Sequence, residues 1–448
     1  MKTKLTEMFG IEYPIVQSGM QWLAVPQLAA AVCNAGGIGT INVTCWPTLD
    51  EFADALDEMN SLTNKPYIVN ISLAPTQRLD NEEIRKTIRL CGEKHVAAIE
   101  TSAEDPREFI ADIKSAGMRH FHKCPNYKVS MSMERKGLDG VIIAGYEVGG
   151  HPSADGVGTF VIARRCAADM KIPVIAAGGI ADGHGLAAAL ALGASGVAMG
   201  TRFVCVDECP ISDNHRQWVI NHTEKDTVLC QKTIGSMMRV SKNNASLLAN
   251  EIENRGLRTG KGPMDILKEQ MPVITGQKTR VAFQDGNVDS AIFCAGMGMG
   301  LVHDVVPVKV LLDRMVKEAE AHEAEDKKRK EDAETRNQAE AFAYQTEKLV
   351  NDNKDKISDE IAKEVTDKVN ALKEALKGED IEKIKSAQSE LMTSAQKIGE
   401  ALYAQQGAAG AADAAGAAAG ASGAASNGGD DDVVDAEVVD DDDKKDNK

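Results

Sequence analysis

Short apolar runs alternate with longer amphipathic stretches through the first 312 residues. Eight runs rich in Val, Ile and Ala recur, at Tyr13–Gln17, Gly37–Ile41, Tyr67–Ile71, Val96–Glu100, His120–Lys123, Gly140–Ala144, Pro173–Ala177 and Gly196–Gly200. Between them lie stretches that suit helices, among them Pro26–Ala35, Leu49–Ser61, Asn81–Lys94, Pro106–Ser115 and Gly185–Leu192. Buried strands that alternate with helices require parallel pairing through right-handed crossovers. Eight units of roughly 20 to 30 residues each predict an α/β fold closed into a (β/α)8 TIM barrel, with an open doubly wound sheet as the alternative.

The pattern then changes. From Val310 to Lys377 there is neither Gly nor Pro, and apolar positions from Ala339 and Phe342 through Leu349, Val365, Leu372, Ile384 and Leu391 to Leu402 recur at three- and four-residue steps. That spacing predicts an amphipathic bundle of about three helices with a break at Asn351-Asp352-Asn353. Beyond residue 407 the chain is Ala/Gly/Ser-rich and then Asp-rich, with too little apolar side chain to offset the cost of ordering, so 407–448 is expected to be a disordered tail. The organisation predicted is thus 1–312, 313–406 and 407–448. The bundle by itself could serve to make the chain a homo-oligomer.

The formal net charge of −17 argues against a nucleic-acid surface, but residues 401–448 hold eleven acidic and three basic side chains, so −8 of it is local. The nine cysteines form no CxxC pair and no His/Cys cluster at metal spacing, the pattern of a reduced cytoplasmic protein without a structural metal. The segment MKTKLTEMFGIEYP has no signal-peptide apolar core, and no run reaches the roughly 18 apolar residues of a membrane span.

In a barrel, chemistry belongs to the loops that follow the strands. After the seventh run comes Ala177-Gly178-Gly179-Ile180-Ala181-Asp182-Gly183, and after the eighth Met199-Gly200-Thr201-Arg202. Glycines there let backbone N–H groups approach an anion, and a helix start adds partial positive charge, so consecutive loops of this kind point to a phosphate-bearing ligand; each alone is also an ordinary tight turn. The sixth run is followed by Glu147-Val148-Gly149-Gly150-His151. His151 on such a loop is free either to trade protons with a ligand or to brace the loop, and Glu147 is equally open to a capping role.

Pro14-Ile15-Val16-Gln17-Ser18-Gly19-Met20, the run from Leu28 to Gly39, Val69-Asn70-Ile71, the Glu147-x-Gly-Gly-His151 loop, Ala176 to Gly183 and Gly200-Thr201-Arg202-Phe203 together resemble the nitronate monooxygenase (2-nitropropane dioxygenase) family, which also includes FMN-dependent enoyl-acyl-carrier-protein reductases. The late segment Ala295 to Asp304 resembles the part of that family that closes the site. The resemblance implies FMN as cofactor and a small-molecule substrate, a nitronate or an enoyl thioester; the reductase alternative adds NAD(P)H. Gly178, Gly179, Gly200 and Thr201 would hold the phosphate, with Met199 beside them. Gly19, Met20 and Gln21 would line the flavin, Asn70 would bind it, Gly149 would pack close to it, and His151 would be the catalytic base or proton donor. Lys123 is added on chemical grounds, as a cation able to stabilise a reduced flavin, and His120 and His122 are expected on the opposite strand face. Ala144 and Ala198 stand where many relatives carry Gln, and Val148 where Ala is common, which bears on the substrate more than on the cofactor.

Glu318 to Glu340, Thr346-Glu347-Lys348-Leu349, Leu376 to Asp380 and the acidic tail resemble the C-terminal lid and tail of DnaK-type heat-shock chaperones, over about the last 130 residues. No counterpart of that family's ATPase domain or peptide-binding sandwich is present, so the resemblance transfers no ATP hydrolysis. It leaves a third reading, a chaperone-related interaction protein with an inert barrel. The segment Val308 to Glu320 reads both as the closing helix of one family and as the opening helix of the other.

Overall fold

The computed structural model describes the backbone of residues 1–74 and 80–413, with the side chains of all of these except 322–327 and 403–413. Two compact units result, Met1–Lys327 and Lys328–Lys448.

The first unit is built on eight parallel strands: β1 (Ile15–Gln17), β2 (Thr40–Asn42), β3 (Ile68–Ser72), β4 (Ala98–Ser102), β5 (Arg119–Cys124), β6 (Gly140–Ala144), β7 (Val174–Ala177) and β8 (Gly196–Met199). The order β1-β8-β7-β6-β5-β4-β3-β2 leaves one seam, and a parallel bridge between Val16 and Ile38 closes it. There the Gln17 N–H donates to the Ile38 carbonyl at 3.0 Å and the Ile38 N–H to the Ile15 carbonyl at 2.9 Å. The predicted barrel is present, and each of the eight predicted runs overlaps or directly abuts its strand.

The surrounding helices form for local reasons. Leu49–Leu62 begins with a capping box between Thr48 and Glu51, and buries Phe52, Ala55, Leu56 and Met59, one stripe at helical spacing. Asn81–Glu93 repeats the device with Asp80 and Glu83 and buries Ile84, Thr87, Ile88 and Cys91. Pro26–Asn34 lies so close to the start of β2 that a Cβ on Gly39 would sit 2.1 Å from the Ala29 carbonyl oxygen. Because the obstacle is backbone, it cannot swing aside. Gly39→Ala is expected to destabilise this unit by about 3 kcal/mol or more, read as a lowered midpoint in urea unfolding.

Side chains alternate between the two faces of each strand. Val16, Ile38, Ile68, Ala98, Phe121, Ile142, Ile175 and Ala198 fill the barrel interior as one buried cluster, joined by Leu5 from the helix Lys4–Phe9. Two residues further along the strands the same inward face carries Thr40, Asn70, Glu100, Lys123, Ala144, Ala177 and, just past β8, Gly200. The floor of the mouth is therefore polar on the β2–β5 side and made of small residues on the β6–β8 side. His120 and His122 face outward, as expected, and are buried between barrel and helices. Thr101 Oγ1 lies 2.9 Å from His120 Nε2 and 2.9 Å from His122 Nδ1. Burial draws both imidazoles down to about 4.

A hairpin of β9 (Thr227–Cys230) and β10 (Met238–Ser241), followed by helices Asn244–Arg258, Pro263–Ile274 and Gly276–Asp285, completes the unit. The helix Val308–Asp352 contributes Val308, Leu311, Leu312, Met315, Val316 and Ala319 to the same core. The Glu318 carboxylate accepts the Gly183 N–H at 2.9 Å. The division between units falls after Lys327, inside this helix.

In the second unit, Asp359–Leu376 and Ile381–Asp413 follow the end of that helix, and Ala339, Ala343, Val350, Val365, Val369, Leu372, Ile384, Leu391 and Ile398 form its core. The predicted break is met by the helix end at Asp352 and a 3-10 turn at Lys354–Lys356. Leu349 departs from the predicted apolar face: Val350 takes the inward position, and Leu349, about 100° around the helix, is 41% exposed. The helix Ile381–Asp413 continues through 407–413, and the rest of the expected tail, 414–448, lies outside the described residues.

Candidate active site

The C-terminal mouth gathers most of the residues singled out in the sequence. After β7, Gly178 and Gly179 take φ values of 113° and 71°, the left-handed region that glycine enters without strain, and a Cβ on Gly178 would lie 2.7 Å from Thr159 Oγ1. The turn leads to Asp182, whose carboxylate accepts the Gly185 N–H at 2.8 Å and caps the helix Gly183–Ala191. After β8, Gly200 precedes the short helix Thr201–Val204, and Thr201 Oγ1 accepts the Gly296 N–H at 2.9 Å. The Met199 side chain is packed in the shell between barrel and helices, so only its backbone can serve the mouth.

On the β1 side, a Cβ on Gly19 would lie 2.7 Å from the Asn70 side chain, and Met20 Sδ is 3.6 Å from the Cβ position of Gly200. Gln21 is exposed beside Gly276, and Trp22, at φ 68°, donates its indole N–H to the Gly276 carbonyl at 2.8 Å. Asn70 and Lys123 point into the barrel, where both donate to Glu100 Oε1 at 2.9 Å. Glu100 is completely buried and was not singled out from the sequence; its place at the end of a predicted strand was the available signal, because an inward-facing carboxylate there must reach the mouth floor.

The loop after β6 is held from several sides. The Glu147 carboxylate accepts the Thr159 N–H at 2.9 Å and lies 2.9 Å from its hydroxyl, so it caps the helix Thr159–Asp169. The Gly150 N–H donates to the Arg239 carbonyl at 3.0 Å, and the Arg239 N–H returns to the Gly150 carbonyl at 2.6 Å. The buried Arg239 guanidinium donates to the Tyr146 carbonyl at 3.0 Å and to Thr227 Oγ1 at 3.0 Å, and lies over the Tyr146 ring. Gly149 abuts Ala295 and Gly296, and the Met297 N–H donates to the Glu147 carbonyl at 2.9 Å. Nothing local in the sequence marks Arg239, because it acts some 90 residues from the loop it pins.

His151, next in the chain after this fixed pair, is exposed, and its ring makes no hydrogen bond among the described residues. The protein around it withholds water from one side and lowers its pKa below the ordinary 6.5, so the imidazole is neutral and able to accept a proton at pH 7. The nine cysteines are free thiols; Cys205 and Cys209 are buried, which raises them to about 11 and about 12. No metal cluster exists among the described residues, and none of the described helices is long and apolar enough to cross a membrane. A cavity of about 600 Å³ lined by Met1, Met170, Val174 and Ser195 opens at the strands' N-terminal ends, away from this chemistry.

The arrangement fits a phosphate-bearing planar cofactor: a left-handed glycine turn, a helix start, a floor of small residues on the β6–β8 side and a buried carboxylate oxygen, Glu100 Oε2, left without a partner. Residues 2–318 match the family model described as nitronate monooxygenase, and residues 239–404 match the one described as Hsp70 protein. A (3aS,4S,5R,7aS)-5-hydroxy-7a-methyl-1-oxo-octahydro-1H-indene-4-carboxyl-CoA dehydrogenase of Rhodococcus jostii is 31% identical over 350 residues, which cover 71% of this chain and 96% of that protein. A nitronate monooxygenase of Paraburkholderia phytofirmans is 32% identical over 287 residues, covering 55% of this chain and 78% of that one. The structure of FabK from Thermotoga maritima superposes with a TM-score of 0.66 at 32% identity, over 73% of this chain and 99% of that one.

Proposed function

Since the chain belongs to the nitronate monooxygenase family, we propose that its barrel is an FMN-dependent oxidoreductase that oxidises alkyl nitronates with molecular oxygen. The observation that carries this is the convergence of the Gly178-Gly179 turn, the Gly200-Thr201 helix start and the Gly-Gly-His151 loop on one mouth. In this reading Gly178, Gly179, Gly200 and Thr201 hold the phosphate through backbone N–H groups and the Thr201 hydroxyl. Gly19, Met20, Gln21, Asn70, Lys123 and Gly149, with the backbone of Met199, line the cofactor. Bound FMN supplies the electron transfer and the reaction with oxygen.

His151 removes the proton from a neutral nitroalkane, for which its lowered pKa keeps it ready at neutral pH. Arg239 contributes by fixing the backbone on which His151 stands, so the imidazole needs no loop rearrangement to meet the substrate. Ala144 and Ala177 keep the adjoining part of the floor small and uncharged.

A second reading, NAD(P)H- and FMN-dependent reduction of an enoyl thioester, is favoured by one observation: among the reported relatives at 30% identity or more, those matched nearly end to end are the carboxyl-CoA dehydrogenase and FabK. In that reaction His151 would deliver a proton instead of taking one. Oxygen uptake with propyl-2-nitronate is set against NAD(P)H oxidation with a crotonyl thioester. The nitronate reading expects the first to dominate, and NAD(P)H-dependent enoyl reduction without nitronate turnover would replace it with the second.

A further inference from the structure

Neither the phosphate turns nor the histidine loop makes use of the charge pair inside the barrel. Glu100 Oε1 takes both available donors, Asn70 Nδ2 and Lys123 Nζ, each at 2.9 Å. Its other oxygen, Oε2, is buried and has no hydrogen-bond partner. Two donors on one oxygen fix the carboxylate's orientation and hold the ammonium of Lys123, whose side chain is 26% exposed, at the edge of the floor. The neighbouring inward positions Ala144, Ala177 and Gly200 carry no charge, so the net charge of this part of the floor is the sum of Glu100 and Lys123, close to zero.

We propose that Glu100 is a positioning residue that holds Lys123 in a charge-neutral pair on the floor of the mouth and would thereby set the electron affinity of a flavin held there; this rests on the FMN reading above. A pair whose carboxylate is fully buried acts on a neighbouring redox group through its net charge and is screened less than a pair on the open surface. Removing the carboxylate leaves an uncompensated cation, which favours the anionic reduced flavin. Removing the ammonium leaves an uncompensated anion, which disfavours it. A residue with only a packing role gives no such reversal of sign.

The test uses the full chain loaded with FMN, reading the two-electron reduction potential and the affinity for sulfite, whose flavin adduct is favoured by nearby positive charge. Glu100→Gln is expected to tighten sulfite binding about tenfold, Lys123→Met to weaken it about tenfold, and the double variant to return to within about threefold of the unmodified protein. The potentials should move in the same opposed directions, a tenfold preference for the reduced form corresponding to about 30 mV in a two-electron couple. Both single variants shifting the same way, or neither shifting, overturns the proposal. Should Glu100→Gln give no folded protein, Lys123→Met decides alone: a fall in sulfite affinity supports the pair, and an unchanged or higher affinity overturns it. Failure of the unmodified chain to bind FMN would remove the cofactor reading and this proposal together. FMN bound with unaltered potentials would remove this proposal only.

Discussion

Replacing His151 by Ala is expected to lower kcat/KM for a neutral nitroalkane by about 10²- to 10⁴-fold, the usual contribution of a positioned general base. Turnover of the preformed nitronate should fall far less, by about tenfold or under, because the anion arrives without the proton that His151 would remove. The pH profile carries the same assignment. Only the neutral imidazole accepts a proton, and its pKa lies below 6.5, so the acidic limb for the neutral nitroalkane should fall below pH 6.5. Steady-state rates with both forms of one substrate, measured from pH 5 to 8, check this. An equal loss on nitroalkane and nitronate would show that His151 shapes the site without moving the proton.

Stability of the first unit should fall steeply between about pH 6.5 and pH 4. His120, His122 and His215 are buried, and burial holds each near 4 in the folded protein, against 6.5 for an unconstrained histidine. Between these values the unfolded chain binds protons that the folded chain refuses, so their contribution is fully present above pH 6.5 and is lost as pH falls through the folded pKa. Each histidine can cost about 3 kcal/mol across that window, with less for the His120–His122 pair if it takes up a shared proton. Asp139, whose carboxylate accepts the His120 backbone N–H at 2.9 Å, opposes the shift only in part through its charge. Urea unfolding at pH 7.5 and pH 5 should show the loss, and replacing His120 and His122 with Asn should flatten the curve. A pH-independent midpoint in the unmodified protein would contradict burial of these rings in neutral form.

Much of this was legible along the chain, for reasons that can be named residue by residue. Strands such as Gly140–Ala144 are buried on both faces and read as unbroken apolar runs, while Leu49–Leu62 carries its start signal, Thr48 with Glu51, and its inward stripe within one stretch. The glycine turns and Gly149-Gly150-His151 were visible because their chemistry is packed into a few consecutive residues. Glu100 and Arg239 were not, since each acquires its role from partners on other elements: Asn70 on β3 and Lys123 on β5 for one, Tyr146 and Gly150 for the other. The composition changes near residue 312, whereas that Met315, Val316 and Ala319 beyond it pack with the barrel follows from contacts the chain pattern does not display.

The sequence by itself determined the alternation of strands and helices, the change of pattern near Val310 and the loops on which glycine and histidine stand, because propensity, periodicity and turn chemistry act over a few residues at a time. Only the tertiary structure decided that Glu100 and Lys123 meet at one oxygen, that Arg239 anchors the loop before His151, and that His120 and His122 share Thr101. Those contacts depend on barrel closure and strand register, which set the distance between residues that chain order keeps apart.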